Sequence, residues 1–170
     1  LSSAQLTDPG TAANVLGIIH RAGLDPRRLE LEITETAVMM DADTAKKIIA
    51  ELREAGVRIA LDDFGTGQSS LGRLREFAFD KVKVDRAFVS QISTDRACEH
   101  IVKAIVAMCD GLNLQVVAEG IENFSEALKL KALGCGMGQG YFYGKPADAT
   151  TTRRYLAGKY GEAEPAAIAV

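Results

Sequence analysis

Acidic side chains with the spacing of a reactive site occur in residues 58–71, which read RIALDDFGTGQSSL. An apolar run there ends abruptly in two adjacent carboxylates, Asp62 and Asp63, followed by a Gly-Thr-Gly turn. Adjacent aspartates repel each other unless a cation, most economically a divalent metal ion, lies beside them. An isolated aspartate pair before glycine is also ordinary turn chemistry. The residues at the ends of the other predicted strands distinguish between a metal site and an ordinary turn.

Polar residues occur at or near the ends of the other predicted strands as well. They are Glu32, Glu35, Lys83, Asp85, Glu119 and Gln139. Carboxylate oxygens without cysteine or histidine favour Mg²⁺, Mn²⁺ or Ca²⁺ over zinc, and an aspartate pair can hold two metal ions. Lys83 on the same rim could hold a water molecule or offset the charge of a phosphate. Such a set suits hydrolysis of a phosphodiester by metal-activated water, although each residue alone could form an ordinary surface ion pair.

These side chains must be positioned by strands that alternate with helices along the chain. Hydrophobic periodicity predicts strands at residues 29–34, 57–61, 81–85, 114–118 and 137–142. It predicts helices at residues 9–22, 44–55, 70–77, 96–109, 123–133 and 150–156, the second of them capped by Asp43. Residues 161–170 are predicted to be a frayed tail.

Alternating strands and helices build a parallel sheet, either open and doubly wound or closed into a (β/α)₈ barrel. No G-x-G-x-x-G follows the first strand, so the commonest dinucleotide-binding sheet is not indicated. In a barrel the carboxyl ends of all strands meet at one mouth, which favours the barrel here. A complete barrel takes about 250 residues. The prediction is therefore an α/β fold, a TIM-like (β/α)₈ barrel that is incomplete, with about five β-α units present.

Composition narrows the class of protein. The 170 residues are 47% hydrophobic, enough for one domain with a buried core. The net charge of −3 does not indicate the positively charged surface that DNA binding requires. The sequence contains no membrane-length apolar run and no signal-peptide pattern, so we expect a cytoplasmic domain without membrane contact. Such a domain is also compatible with a membrane-anchored parent protein. Three cysteines without C-x-x-C spacing indicate core residues rather than disulfides or a zinc site.

Five strings extend these observations over nearly the whole chain. They are LELEITE (29–35), LDDFGTGQSSL (61–71), KVKVDRAFV (81–89), VVAEGIE (116–122) and GQGYFYGKP (138–146). In order and spacing they resemble the EAL-domain family of cyclic di-GMP phosphodiesterases. The resemblance implies an EAL-type barrel that hydrolyses cyclic di-GMP to linear pGpG with Mg²⁺ or Mn²⁺ in bacterial second-messenger signalling.

The resemblance also implies a role for each matching residue. Glu32 matches a metal ligand, and Asp62 matches the aspartate that bridges two metal ions. Asp63 and Glu119 match ligands of the second metal, and Glu119 is also a candidate for activating water. Lys83 matches the lysine that orients the nucleophilic water. The implied centre is a two-metal site with Lys83 and Glu119 as catalytic residues.

Further matches concern the surroundings of the site and its partners. Glu35 resembles the glutamate that anchors the loop of residues 64–70, Gln139 matches a glutamine that lines the active site, and Asp85 lies near the metals in the family pattern. The resemblance implies a homodimer formed through the loop after Asp63, cyclic di-GMP as ligand, and a sensory or GGDEF-type domain in the parent protein.

Two elements of the family pattern fall upstream of Leu1. They are the Glu-Ala-Leu motif and an asparagine ligand, so residues 1–160 correspond to an EAL domain without its first strands. Two functions therefore stay open. One is a metal-dependent phosphodiesterase, and the other is an inactive EAL module that binds cyclic di-GMP or a protein partner as a regulator.

Overall fold

The computed structural model describes residues 1–65 and 76–158, and within them five strands form one parallel sheet. The strands lie in chain order, each paired with the next. An open doubly wound sheet would reverse its order at a switch point, whereas a barrel keeps consecutive strands adjacent. The strands are β1 (Glu30–Thr34), β2 (Arg58–Phe64), β3 (Lys81–Val84), β4 (Gln115–Ala118) and β5 (Met137–Gly138).

Helices connect these strands as the alternation predicted. They are α1 (Ser3–Leu6), α2 (Thr11–Arg21), α3 (Glu35–Met40), α4 (Ala42–Glu54), α5 (Arg86–Val89), α6 (Arg96–Gly111), α7 (Phe124–Ala132) and α8 (Ala149–Leu156), with a 3₁₀ turn at Pro26–Arg28. The cap predicted at Asp43 is wrong, because Asp41 accepts the Thr44 N–H at 3.1 Å and α4 begins two residues earlier, at Ala42. The helix predicted at residues 70–77 lies mostly outside the described residues.

The two faces of the sheet differ in chemistry because side chains alternate along each strand. One face is apolar and packs into the core with the helices, with Ile33, Ile59, Leu61, Val82 and Val84 all buried. The opposite face carries the acidic residues of β1 and the lysines of β3. These charged side chains meet across β2, where the small side chain of Ala60 pairs with Glu32 on one side and Lys81 on the other.

Two strands differ from the predicted bounds by more than one residue. Strand β2 continues through both aspartates to Phe64, whereas the fifth strand ends at Gly138 instead of residue 142. The chain turns away after Gly138, since the Phe142 N–H donates to the Ile121 carbonyl and the Tyr143 N–H to the Gly140 carbonyl. Gln139 therefore follows the last strand instead of belonging to it.

The remaining expectations from composition concern cysteines and membrane spans. Cys98, Cys109 and Cys135 are free and buried, which confirms their prediction as core residues. Burial raises the pKa of the Cys109 thiol to about 11, so this group is protonated at neutral pH. Within residues 1–65 and 76–158, no helix combines the length and the hydropathy that a membrane span requires.

Candidate metal centre

A local irregularity in β2 places both aspartates at the site. Consecutive residues of a regular strand point to opposite faces, which would separate Asp62 from Asp63. The pairing of β2 with β3 instead shifts register between Leu61 and Phe64, and Asp63 adopts a left-handed backbone with φ of 55°. The Asp63 N–H donates to the Asp62 carboxylate at 3.1 Å. A bulge of this kind re-aims a side chain next to a functional site.

Asp62, Asp63 and Glu119 together form an oxygen cluster. One carboxylate oxygen from each lies within 4.8 Å of the other two, and all three residues are half-buried. Glu119 reaches the cluster from the end of β4, where its N–H donates to the Val84 carbonyl at 3.0 Å. Three converging carboxylates match the hard oxygen ligands that Mg²⁺ and Mn²⁺ prefer, so the donor set fits a divalent metal ion.

Lys83 is the cation of this centre. Its side chain is 6% exposed, and Nζ lies 2.5 Å from Glu32 Oε1, 3.2 Å from Asp62 Oδ1 and 2.7 Å from Glu119 Oε1. Burial by itself lowers the pKa of this ammonium, but the hydrogen bonds to Glu119 and Glu32 outweigh it and the pKa is raised. Lys83 is therefore charged at neutral pH and holds three carboxylates together.

One ammonium does not neutralise four carboxylates. Burial raises the pKa of the Glu119 carboxyl, and the charges of Asp62 and Glu32 add to this effect, while Lys83 opposes it. Burial also raises the pKa of Asp63, followed by the charges of Asp62 and Asp85. The raised pKa values of both groups indicate that, among residues 1–65 and 76–158, negative charge is concentrated at this centre, and a divalent cation would stabilise it.

The structure brings two further predicted residues, Asp85 and Gln139, close to this centre. Asp85 caps α5 by accepting the Ala87 N–H at 2.7 Å, and its carboxyl also interacts with that of Asp63. Gln139 lies beside the site along the sheet, because its N–H donates to the Ala118 carbonyl at 2.8 Å. Its exposed side chain lines an open cavity of about 690 Å³ with Tyr141, Tyr143, Lys145 and Tyr155.

Glu35 and its predicted loop can be followed only in part. Glu35 begins α3 and is buried, 4% exposed. The loop that it was predicted to anchor, residues 64–70, lies outside the described residues from residue 66 onward. The same holds for the dimer contact predicted for that loop. The anchoring role of Glu35 stays a prediction.

Sequence reasoning missed three contacts around the centre. Lys81 contacts Glu30 at 2.7 Å, one row below the pair of Lys83 and Glu32 on the same face. Arg86 contacts Glu122 at 2.6 Å across the loop that follows Glu119. Glu126 is buried at the start of α7, where the spacing of Asn123 and Glu126 is that of a helix capping box and could have indicated it.

Comparison with known proteins identifies related chains. The family model for the EAL domain matches residues 1–146. A curated relative is MucR of Pseudomonas aeruginosa, a bifunctional diguanylate cyclase and cyclic di-GMP phosphodiesterase, 40% identical over 146 residues, which are 86% of this chain and 21% of MucR. The chain spans about a fifth of the length of the curated relatives that it matches.

Solved structures share the fold. The PaMucR phosphodiesterase in complex with c-di-GMP is 39% identical with a TM-score of 0.85, covering 89% of this chain and 62% of that one. BlrP1 of Klebsiella pneumoniae in a manganese and cyclic di-GMP complex is 35% identical with a TM-score of 0.78, covering 84% of this chain and 36% of that one. These likenesses confirm the predicted EAL-type partial (β/α)₈ barrel.

Proposed function

This chain belongs to the EAL-domain family, and from that premise we propose that it hydrolyses cyclic di-GMP to linear pGpG in bacterial signalling. The observation that carries the proposal is the convergence of Asp62, Asp63 and Glu119 within 4.8 Å beside the buried Lys83. Carboxylates at the carboxyl ends of barrel strands are where this architecture has its chemistry. The manganese and cyclic di-GMP complex of BlrP1 supports the same ligand and metal class for this chain.

Each residue at the centre has a distinct proposed task. Glu32, Asp62, Asp63 and Glu119 would hold Mg²⁺ or Mn²⁺ at a two-metal site. When bound, such ions stabilise charge on the phosphodiester and favour ionisation of a water molecule. Lys83 orients that water and keeps three carboxylates in place, since its ammonium already contacts all three. Glu119 is the candidate to accept a proton from the water, because its carboxylate belongs to the oxygen cluster and lies 2.7 Å from the Lys83 ammonium.

The surroundings of the centre complete the proposal. Asp85 and Gln139 line the site, and Glu35 anchors the loop of residues 64–70, through which two copies form a homodimer. The domain extends to residue 160, followed by a tail at residues 161–170. We expect a cytoplasmic location and a sensory or GGDEF-type domain in the parent protein.

Hydrolysis can be tested directly on this chain and on a version extended upstream of Leu1 to include the two ligands of the family pattern. Each is incubated with cyclic di-GMP and Mn²⁺, and pGpG is quantified by chromatography. Glu119→Gln should abolish turnover in whichever version is active. Glu99→Gln is the matched control, because Glu99 lies on α6 and contacts only Lys129 among the ion pairs of the described residues.

The outcomes separate the two functions left open by the sequence. Formation of pGpG that requires Glu119 but tolerates Glu99→Gln supports the phosphodiesterase. Binding of cyclic di-GMP by calorimetry without product from either version would refute the enzyme and favour a regulatory receptor.

A further inference from the structure

A buried glutamate lies behind the loop that carries Glu119. Glu126 is the third residue of α7 and is 6% exposed. Its Oε1 accepts the Asn123 side-chain N–H at 2.7 Å, and its own backbone N–H donates to Asn123 Oδ1 at 3.0 Å. Its second oxygen, Oε2, accepts the backbone N–H of Glu122 at 2.8 Å. The last bond reaches beyond the helix into the preceding loop.

That loop, residues 119–122, is held at each of its other positions by a neighbouring element. The Glu119 N–H bonds to β3, and Ile121 bonds through both its N–H and its carbonyl to residues 139 and 142. Gly120 has φ of 69° and lies under Arg86, whose Cγ would be 2.4 Å from an added Cβ. The Glu122 N–H is thus fixed by Glu126, whereas the Glu122 carboxylate pairs with Arg86 in an exposed contact of low strength.

We propose that Glu126 is a positioning residue that fixes the loop and thereby aims the Glu119 carboxylate into the metal centre. The inference rests on the proposed function, because it assigns Glu126 to the support of that same site. Two residues, Gly120 and Ile121, separate Glu119 from the anchored N–H of Glu122. The Ile121 bonds hold the loop to residues 139 and 142, and the Glu122 bond joins it to α7, so loss of that bond releases the loop from the helix. Supports of metal ligands typically contribute 10- to 100-fold to metal affinity or activity.

A purely structural role in capping α7 would leave Glu119 unaffected, and three variants separate the two roles. Glu126→Ala removes both the cap contact and the loop anchor. Asn123→Ala removes the N-cap and leaves the Glu126 carboxylate to accept the Glu122 N–H. Glu126→Gln keeps one oxygen that can accept the Glu122 N–H, so this conservative variant should retain the loop anchor.

The readouts are Mn²⁺ affinity by calorimetry, hydrogen exchange at the Glu122 amide by NMR, and the separate kcat and KM for cyclic di-GMP. We expect Glu126→Ala to lower Mn²⁺ affinity and kcat by about 10- to 100-fold with nearly unchanged KM, and to accelerate exchange at Glu122. Asn123→Ala should lower the melting temperature comparably but leave affinity and exchange close to those of the wild type. Glu126→Gln should keep most of the wild-type Mn²⁺ affinity and most of the protection of the Glu122 amide from exchange.

Equal losses of affinity in Glu126→Ala and Asn123→Ala, or slow exchange at Glu122 in Glu126→Ala, would overturn the inference. A wild type that binds Mn²⁺ but forms no pGpG would instead refute the proposed function, and the affinity and exchange comparison would still decide the role of Glu126. If the wild type binds no Mn²⁺ either, exchange at the Glu119 amide decides the role of Glu126: acceleration in Glu126→Ala but not in Asn123→Ala supports positioning, and unchanged exchange in both overturns it.

Discussion

Replacing Lys83 by methionine tests whether this side chain holds the carboxylates of the centre together. The substitution keeps an unbranched chain of similar length and removes the ammonium that contacts Glu32, Asp62 and Glu119. Breaking a buried ion pair from one side leaves uncompensated charge and costs about 3–5 kcal/mol. For a domain of this size that corresponds to a fall in melting temperature of about 6–20 °C.

Lys81→Met is the matched control for this experiment. Lys81 lies on the same strand and the same face but contacts only one carboxylate, that of Glu30, among the ion pairs of the described residues. Its loss should cost about 1.5 kcal/mol, the value of one charged hydrogen bond. Unfolding in urea followed by circular dichroism, in buffer with EDTA at neutral pH, measures both variants.

A second comparison measures how much Mn²⁺ stabilises Lys83→Met and the wild type. An ion at 100 times its dissociation constant stabilises the folded state by about 2.7 kcal/mol. Without the ammonium of Lys83 the carboxylates attract the cation more strongly, so Mn²⁺ should stabilise Lys83→Met more than the wild type. The reasoning is refuted if Lys83→Met is as stable as Lys81→Met in EDTA, or if Mn²⁺ stabilises it no more than the wild type.

Three further predictions concern charge, pH and backbone packing. Asp63→Asn should raise the free energy of unfolding of the metal-free protein by about 1 kcal/mol after solvent screening. The reason is that asparagine tolerates φ of 55° and removes one repelling charge. The same variant should bind Mn²⁺ more weakly in calorimetry. The raised pKa values of Asp63 and Glu119 mean that the folded state binds their protons more tightly than the unfolded state. The two carboxyl groups therefore stabilise the metal-free protein below their ordinary pKa values of 3.8 and 4.5, and this contribution is lost as pH rises through their raised pKa values. In the double variant Asp63→Asn, Glu119→Gln, the urea midpoint should change less with pH than in the wild type. Gly140→Ala would place a Cβ 2.1 Å from the Ile121 carbonyl oxygen and should lower stability by about 1–3 kcal/mol, whereas Gly144→Ala, with nothing within 4 Å, should not.

Each of these has a contrary outcome. A less stable Asp63→Asn variant in EDTA would show that the aspartate pair is not repulsive. A double variant whose stability follows pH as steeply as the wild type would assign that dependence to other groups. Equal melting temperatures for the two glycine variants would contradict the close approach at residue 140.

The order of elements and the identity of the acidic residues could be predicted because both are local properties of the sequence. Asp62 and Asp63 follow an apolar run, and Glu119 follows another, so their placement at strand ends needs only the period of the side chains. The parallel sheet then places those ends on one side of the molecule. Strand order and the oxygen cluster agree with that prediction.

The details that aim these side chains could not be predicted in the same way. The left-handed backbone of Asp63 depends on a register shift between two strands that are distant in sequence. The early end of β5 depends on the approach of residue 140 to Ile121, which is a tertiary contact. Lys83 was assigned from its place on the strand, but its simultaneous contact with three carboxylates required the register across β2.

The ionic row across β2 also has a consequence for how the strands find one another. A shift of one residue in the pairing of β1 with β2 would turn Glu30 and Glu32 toward the helices and expose Ile33. The lysines would then lose their partners, and two carboxylates would lie in an apolar layer at a cost of several kcal/mol each. A misaligned sheet is thereby destabilised as the helices pack on it, so the charges that serve the centre also select the correct alignment during folding.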